Sequence, residues 1–272
     1  MNTVLDIQEV RKSFAIGYGK RSRVFGTEYK NVIDGLTLRL EAGKVTSLVG
    51  GNGAGKTTLF NLISGLLRPD DGSIQLKEGL SSLDCTRAVP WQIASAGLGR
   101  MFQGSRVFGE LSVIDNLLIQ RNKTNVETPF YRILHPIRSK ASRKQGIERI
   151  HEDLKEFDDF RELVTEGGNP ASSLSFARQR MLSLAGLLLG NYRILLLDEP
   201  TSGLSPESYD TLYLFLDVMR EKGKTVFLIE HNLKFINETV DQCHFMSAGK
   251  ILYSGTPGEV LTHSDVKQSY LL

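Results

Sequence analysis

With 272 residues, 40% of them apolar, the chain is long enough for one large domain or two small ones and can fill a buried core. Lys and Arg number 33 against 31 Asp and Glu, and a net charge of +2 gives no reason to expect a polyanion such as nucleic acid as partner across the whole surface. Cys85 and Cys243 stand far apart and outside any C-x-x-C spacing, which argues against a disulfide framework or a thiolate zinc site and fits a reducing cytoplasm.

No apolar run reaches the roughly 18 residues needed to span a bilayer, and MNTVLDIQEVRK carries acids where a signal peptide would be apolar. Work at a membrane would require something else to hold the chain there. In chain order, the N-terminal strands are interrupted at residues 16 to 30, IGYGKRSRVFGTEYK, where Lys20, Arg21, Arg23 and Lys30 face a single acid, Glu28. KVTSLVG (44 to 50) reads as a buried strand ending in glycines, and TTLFNLISGLL (57 to 67) as a helix. Residues 121 to 146 carry Arg121, Lys123, Arg132, Arg138, Lys140, Arg143 and Lys144 against Glu127. The helical pattern IERIHEDLKEFDDF follows, so a mostly helical subdomain with a basic entry is expected, its charge solvated or facing headgroups or a partner protein. RILLLDEP (193 to 200) and KTVFLIEH (224 to 231) are the continuous apolar runs of strands buried on both faces of a parallel sheet. Between them SPESYDTLYLFLDVMREKG opens with Ser-Pro and ends at Gly223 as a crossover helix should, giving a βαβ unit and an α/β class.

Chemistry concentrates at the ends of these strands. GGNGAGKT, Gly50 to Thr57, fits G-x-x-x-x-G-K-S/T in the strand–loop–helix context the motif requires. Gly51, Gly53 and Gly55 let backbone N–H groups turn inward, and with the helix N-terminus they cradle phosphates. Lys56 supplies a point charge to those phosphates, and the Thr57 hydroxyl is a ligand for Mg²⁺. Asp198 ends an apolar strand and would orient the Mg²⁺ shell, while Glu199 beside it is placed to polarise an attacking water as general base. These motifs alone do not separate an ATPase from a GTPase or a kinase. NKTN at 122 to 125 is no guanine-reading motif, because Asn125 stands where Asp belongs and no apolar strand precedes it.

GGNGAGKTT, GRMFQ, LSFARQR, LLLDEPTSGLSP and LIEH, in that order, resemble the ATP-binding subunit of ABC transporters over nearly the whole chain. The resemblance implies a P-loop NTPase with a RecA-like core, an antiparallel β subdomain, a helical subdomain at about 90 to 190 and a C-terminal extension at about 247 to 272. It implies ATP and Mg²⁺ as ligands, with Gly50, Gly51, Asn52, Gly53, Ala54, Gly55, Lys56, Thr57 and Thr58 around the phosphates. Gln103 is similar to the glutamine that reaches Mg²⁺ and water and senses the membrane partner, and His231 to the histidine that contacts the γ-phosphate. Phe14 is the candidate for stacking on adenine, with Tyr18, Phe25 and Tyr29 in contention. Ser175 belongs to the signature loop, which completes the ATP site of a second subunit.

The implied partners are transmembrane permease subunits and a second ATP-binding subunit, and the implied place is the cytoplasmic face of the inner membrane, held peripherally. Within the superfamily, GRMFQGSRVFGELSVIDNLL, the insert with TPFYRILHP, LIEHNLKFI and the tail GKILYSGTPGEVLTHSDVKQSYLL resemble the ATPases of branched-chain amino acid importers. The tail also resembles the lipopolysaccharide-export ATPase, which usually lacks the long insert. A soluble ABC protein acting without a permease is the other alternative, although the paired ATP domains or long coiled coil usual there are absent from this sequence. The departures concentrate in the signature, L-S-G-G-Q in the family. Phe176 fits the aromatic variant found at the third position in this subgroup, Ala177 replaces the second glycine and Arg178 the glutamine, adding a positive charge, while Gly51 takes a common Pro place and Ser205 an Asn or Asp place. An altered signature beside intact nucleotide motifs leads us to expect a heterodimer with a weaker half-site.

Overall fold

The computed structural model describes residues 2–16, 28–79, 81–104, 107–121 and 136–271. Tyr18, Phe25, the charges of residues 17–27 and those of 122–135 lie outside the described residues. The chain divides into two compact units, one of residues 1–98, 193–199 and 219–272, the other of residues 99–192 and 200–218.

The strands form two sheets, whose residues belong to the first unit except for 99–101. Strands β1 (Thr3–Ile16), β2 (Glu28–Glu41), β4 (Asp71–Glu78) and β5 (Ser81–Asp84) form the antiparallel one in the order β2-β1-β4-β5. The other runs β10-β9-β3-β8-β7-β6, from β10 (Lys250–Gly255), β9 (Gln242–Ser247), β3 (Val45–Val49), β8 (Thr225–Ile229), β7 (Ile194–Asp198) and β6 (Leu98–Met101). Every residue of β3, β7 and β8 is buried, which is why VTSLV, ILLLD and TVFLI show no polar alternation. They pair in parallel, with Val226 opposite both Val45 and Leu195, and β9 adds a further parallel strand beside β3.

Helix α1 (Lys56–Ile63) buries Leu59, Phe60, Leu62 and Ile63, and the Phe60 ring lies 5.1 Å from that of Phe227 on β8. The helix stops four residues short of the expected end. Ser64 Oγ donates to the Phe60 carbonyl, and Gly65 follows at φ +72°, the left-handed exit that glycine adopts without strain. Behind it come α2 (Pro90–Ser95) and, later in the chain, α8 (Leu233–Thr239), α9 (Pro257–Leu261) and α10 (Ser264–Leu271).

The second unit is mostly helical, built from α3 (Val113–Arg121), α4 (Pro136–Leu154), α5 (Asp158–Thr165) and α6 (Phe176–Leu189), with α7 (Tyr209–Glu221) as the crossover from β7 to β8. Helix α5 turns Phe160, Leu163 and Val164 inward, and the Phe157 and Phe160 rings stack at 4.9 Å. Buried Asn116 receives the Phe108 N–H and donates to the Phe108 and Ser112 carbonyls, fixing the loop before α3. Part of the basic stretch is paired within this unit: Arg121 bonds Asp153, Arg143 bonds Asp115, and Lys144 stands 3.9 Å from Glu148. Among the described residues no helix is long and apolar enough to cross a membrane.

His244 on β9 gives the fold a pH dependence. Its Nδ1 lies 2.7 Å from Ser254 Oγ, its Nε2 is buried without a hydrogen-bond partner, and burial pushes its pKa from 6.5 down to about 4. The folded state therefore binds fewer protons here than the unfolded chain below pH 6.5, and stability falls as pH drops through the window from 6.5 to about 4. Between pH 7.5 and 5.0 this group should remove about 2 kcal/mol of unfolding free energy. Urea titrations of the unmutated chain and of His244→Gln check it: the difference between the two should shrink toward acid pH, and parallel curves would contradict it.

Candidate functional site

The first unit brings four groups of the nucleotide motifs together. β3 delivers the chain into the loop 50–55, which folds on itself through the Ala54 N–H donating to the Gly51 carbonyl at 3.2 Å. A β-carbon at Gly50 would stand 2.2 Å from the Met246 carbonyl, and one at Gly55 2.7 Å from that of Val32, so neighbouring strands close tightly on this loop. At Gly51 nothing lies within 4 Å of such an atom, so the departure from proline there has no packing consequence. Buried Lys56 folds back over the loop, donating to the carbonyls of Gly50 at 2.6 Å and Gly51 at 3.0 Å. Burial pushes its pKa below that of an ordinary lysine, and the charges of Glu199 and then Asp198 pull the other way. Thr57 opens α1 exposed to solvent, with Thr58 half-buried behind it.

Asp198 closes β7 almost completely buried, and Glu199 follows at φ +51°, a conformation in which few non-glycine residues are held except at functional sites. The Glu199 N–H donates to the Ile229 carbonyl at 2.9 Å, and its Oε1 lies 3.4 Å from His231 Nε2. The structure thus joins Lys56, Asp198, Glu199 and His231 within one unit. It also shows a residue that the motifs did not single out. Glu230, 2% exposed, turns its carboxylate back to accept the N–H groups of His231 at 2.7 Å and Asn232 at 3.1 Å. Its signal in the sequence was an acid set directly after the apolar run TVFLI.

The second unit carries Gln103 and Ser175, both exposed. Ser175 is the N-cap of α6, its Oγ accepting the Arg178 N–H at 3.4 Å. Ala177 lies inside that helix and is not among the residues with positive φ, so its β-carbon suits the backbone it occupies. Arg178 carries the charge that replaces the glutamine, and its guanidinium turns along the subdomain to Glu166 at 3.1 Å and Glu162 at 3.7 Å. Phe14 on β1 is 39% exposed with the Lys12 ammonium 5.7 Å from its ring, and Tyr29 on β2 is 66% exposed, so both remain available as flat apolar platforms.

A run of parallel strands in which β3 feeds a glycine-rich loop that opens a helix at Lys-Thr, and β7, one strand beyond the intervening β8, ends in Asp-Glu, defines a P-loop nucleotide-hydrolysing protein. More particularly, the chain belongs to the ABC transporter family, whose model matches residues 33–202. It is 32% identical to the high-affinity branched-chain amino acid transport ATP-binding protein LivG of Salmonella typhimurium, over 88% of this chain and 91% of the relative. To BraF, the protein of the same description in Pseudomonas aeruginosa, it is 33% identical with the same coverage. The lipopolysaccharide export system ATP-binding protein LptB of Escherichia coli is 30% identical, over 89% and 91% of the two chains. The fold matches an ABC transporter cassette solved in its ADP conformation, with TM-score 0.75 and 24% identity over 100% and 99% of the chains. The chain is accordingly an ATP-binding, ATP-hydrolysing subunit of the ABC type.

Proposed function

We propose that this chain powers an importer of branched-chain or other neutral amino acids, docked peripherally on permease subunits at the cytoplasmic face of the inner membrane. The observation that carries hydrolysis is the convergence of Lys56, Asp198, Glu199 and His231 in one unit. The solute class is supported by the 32–33% identity to two branched-chain amino acid transport proteins. Lys56 would leave the Gly50 and Gly51 carbonyls for the ATP phosphates, and Glu199, oriented by His231, would accept a proton from the attacking water.

Mg²⁺ fits the residues present. Exposed Thr57 and buried Asp198, both of the first unit, supply a hydroxyl and a carboxylate. Among the described residues no cluster of three His, Cys, Asp or Glu forms a cage, so the ion would arrive on the nucleotide's phosphates. A magnesium ion held by these residues would supply neutralisation of the phosphate charge. Gly50 through Thr58, including Asn52, Gly53, Ala54 and Gly55, cradle the phosphates, and Phe14 stacks on adenine. Ser175, exposed at a helix N-terminus, serves the γ-phosphate of a second ATP-binding subunit. Because Ala177 and Arg178 depart from the signature, that second subunit is a different chain with an unaltered loop.

Capturing the tagged chain from solubilised membranes tests this reading. Recovery of an amino acid permease with a second, non-identical ATP-binding subunit is the expected result. A lipid-export permease would favour the reading that rests on 30% identity to the lipopolysaccharide export protein. Recovery of no membrane protein would overturn the transport assignment itself.

A further inference from the structure

Arg180 is among the largest fully buried side chains of the described residues, and a guanidinium withdrawn from water needs partners for its charge and its N–H groups. Its Nη2 donates to the backbone carbonyl of Gln103 at 2.7 Å, a charge-assisted bond reaching across 77 residues of sequence. Its Cζ stands 5.2 Å from the centre of the Phe176 ring, one helical turn earlier on α6, where the i,i+4 spacing sets the two on one face. The same ring meets a third segment. A β-carbon built on Gly203 would lie 3.4 Å from its Cδ1 and Cε1 atoms, so the ring edge rests against the turn at 201–205 that leaves the Asp198-Glu199 pair. Gly203 itself has φ +75°, and its lack of a side chain lets the ring approach that backbone.

We propose that Arg180 and Phe176 are a positioning pair that makes three segments of the second unit shift together: the segment of Gln103, the loop of Ser175 and the turn at Gly203. This rests on the reading of residues 174–178 as the signature loop. The link depends on the aromatic residue at the third position of that loop, since a glycine at 176 would have no ring to stand between the guanidinium and Gly203. It is stiff for two reasons. Moving the Gln103 carbonyl away costs the buried guanidinium a charge-assisted bond, which ties Arg180 to the position of that loop. The acceptor is a backbone atom, so what is transmitted is the position of the loop and not the rotamer of its side chain. A displacement of Gln103 is carried through the guanidinium to a ring adjoining Ser175 and, on its other edge, to the 201–205 turn. Neither side chain needs to touch ATP in this role.

The test is a double-mutant cycle on the full chain captured with its partners, read as kcat and KM for ATP. Arg180→Gln and Phe176→Leu should each lower kcat about tenfold with KM held within about twofold, and the double variant should be no worse than the poorer single. Arg180→Lys, which keeps a cation and a donor, should recover most of kcat. Should Arg180→Gln fail to fold, the cycle is run with Arg180→Met, which fills the buried volume without the charge, and the exposed Phe176→Leu. Losses that multiply in the double variant, a single variant at the unmutated kcat, or a loss confined to KM would each overturn the pair. Ser175→Ala is measured alongside: an unchanged rate there would sink the signature reading and this proposal together, whereas a lowered rate with an additive cycle would sink this proposal alone.

Discussion

Glu199→Gln should bind ATP at least as well as the unmutated chain and hydrolyse it slower by about two to four orders of magnitude, the contribution of a positioned general base. The substitution keeps shape, so the fold at this point should survive. The backbone bond from residue 199 to the Ile229 carbonyl does not involve the side chain, and the volume packed beside His231 is unchanged. What is lost is a carboxylate able to take a proton, held near Lys56 and within 3.4 Å of His231 Nε2. Removing a negative charge from beside the γ-phosphate favours binding while the chemical step fails, so the defect should fall on kcat and not on KM. Steady-state hydrolysis and nucleotide titration of the captured complex separate the two, and hydrolysis at the unmutated rate would remove Glu199 from the role of base.

The parts of the molecule legible in the sequence are those where local chemistry dictates the pattern. Strands β3, β7 and β8 are buried on both faces, so their residues are apolar without alternation and their polar ends stand out. The loop 50–56 is legible because close backbone approach admits only glycine at Gly50 and Gly55. The fate of Arg178 was not, since Glu162 and Glu166 lie on another helix and only packing of α5 beside α6 makes them its partners. Nor was the early end of α1, whose apolar spacing continues through Leu66 and Leu67 while Ser64 and Gly65 turn the backbone away. Arg180 was illegible for the same reason: it is a charged residue whose importance lies in burial, and burial is set by elements distant in the chain, whereas Glu230 showed only as an acid directly after an apolar run.

Lys56→Ala should cost binding as well as turnover, because it removes a contact to the phosphates and leaves two acids behind. In the structure the ammonium is buried, bonded to two loop carbonyls, and faces the charges of Glu199 and Asp198. Burial disfavours the charged form and the two carboxylates favour it, so the site is one in which a cation is held ready in low-dielectric surroundings. Without it, the γ-phosphate would approach uncompensated carboxylates, and both the ground state and the transition state would be repelled. Loss of one preorganised donor at developing charge lowers turnover by about 10²–10³-fold. Weakened ATP binding adds to that, so kcat/KM should fall further than kcat. Lys56→Arg keeps the charge but lengthens and flattens the head group in a loop whose Gly50 and Gly55 have no room to yield, and it should rescue binding more than turnover. Equal losses in Lys56→Ala and Glu199→Gln confined to kcat would contradict this division of labour, as would ATP binding by Lys56→Ala at the unmutated affinity.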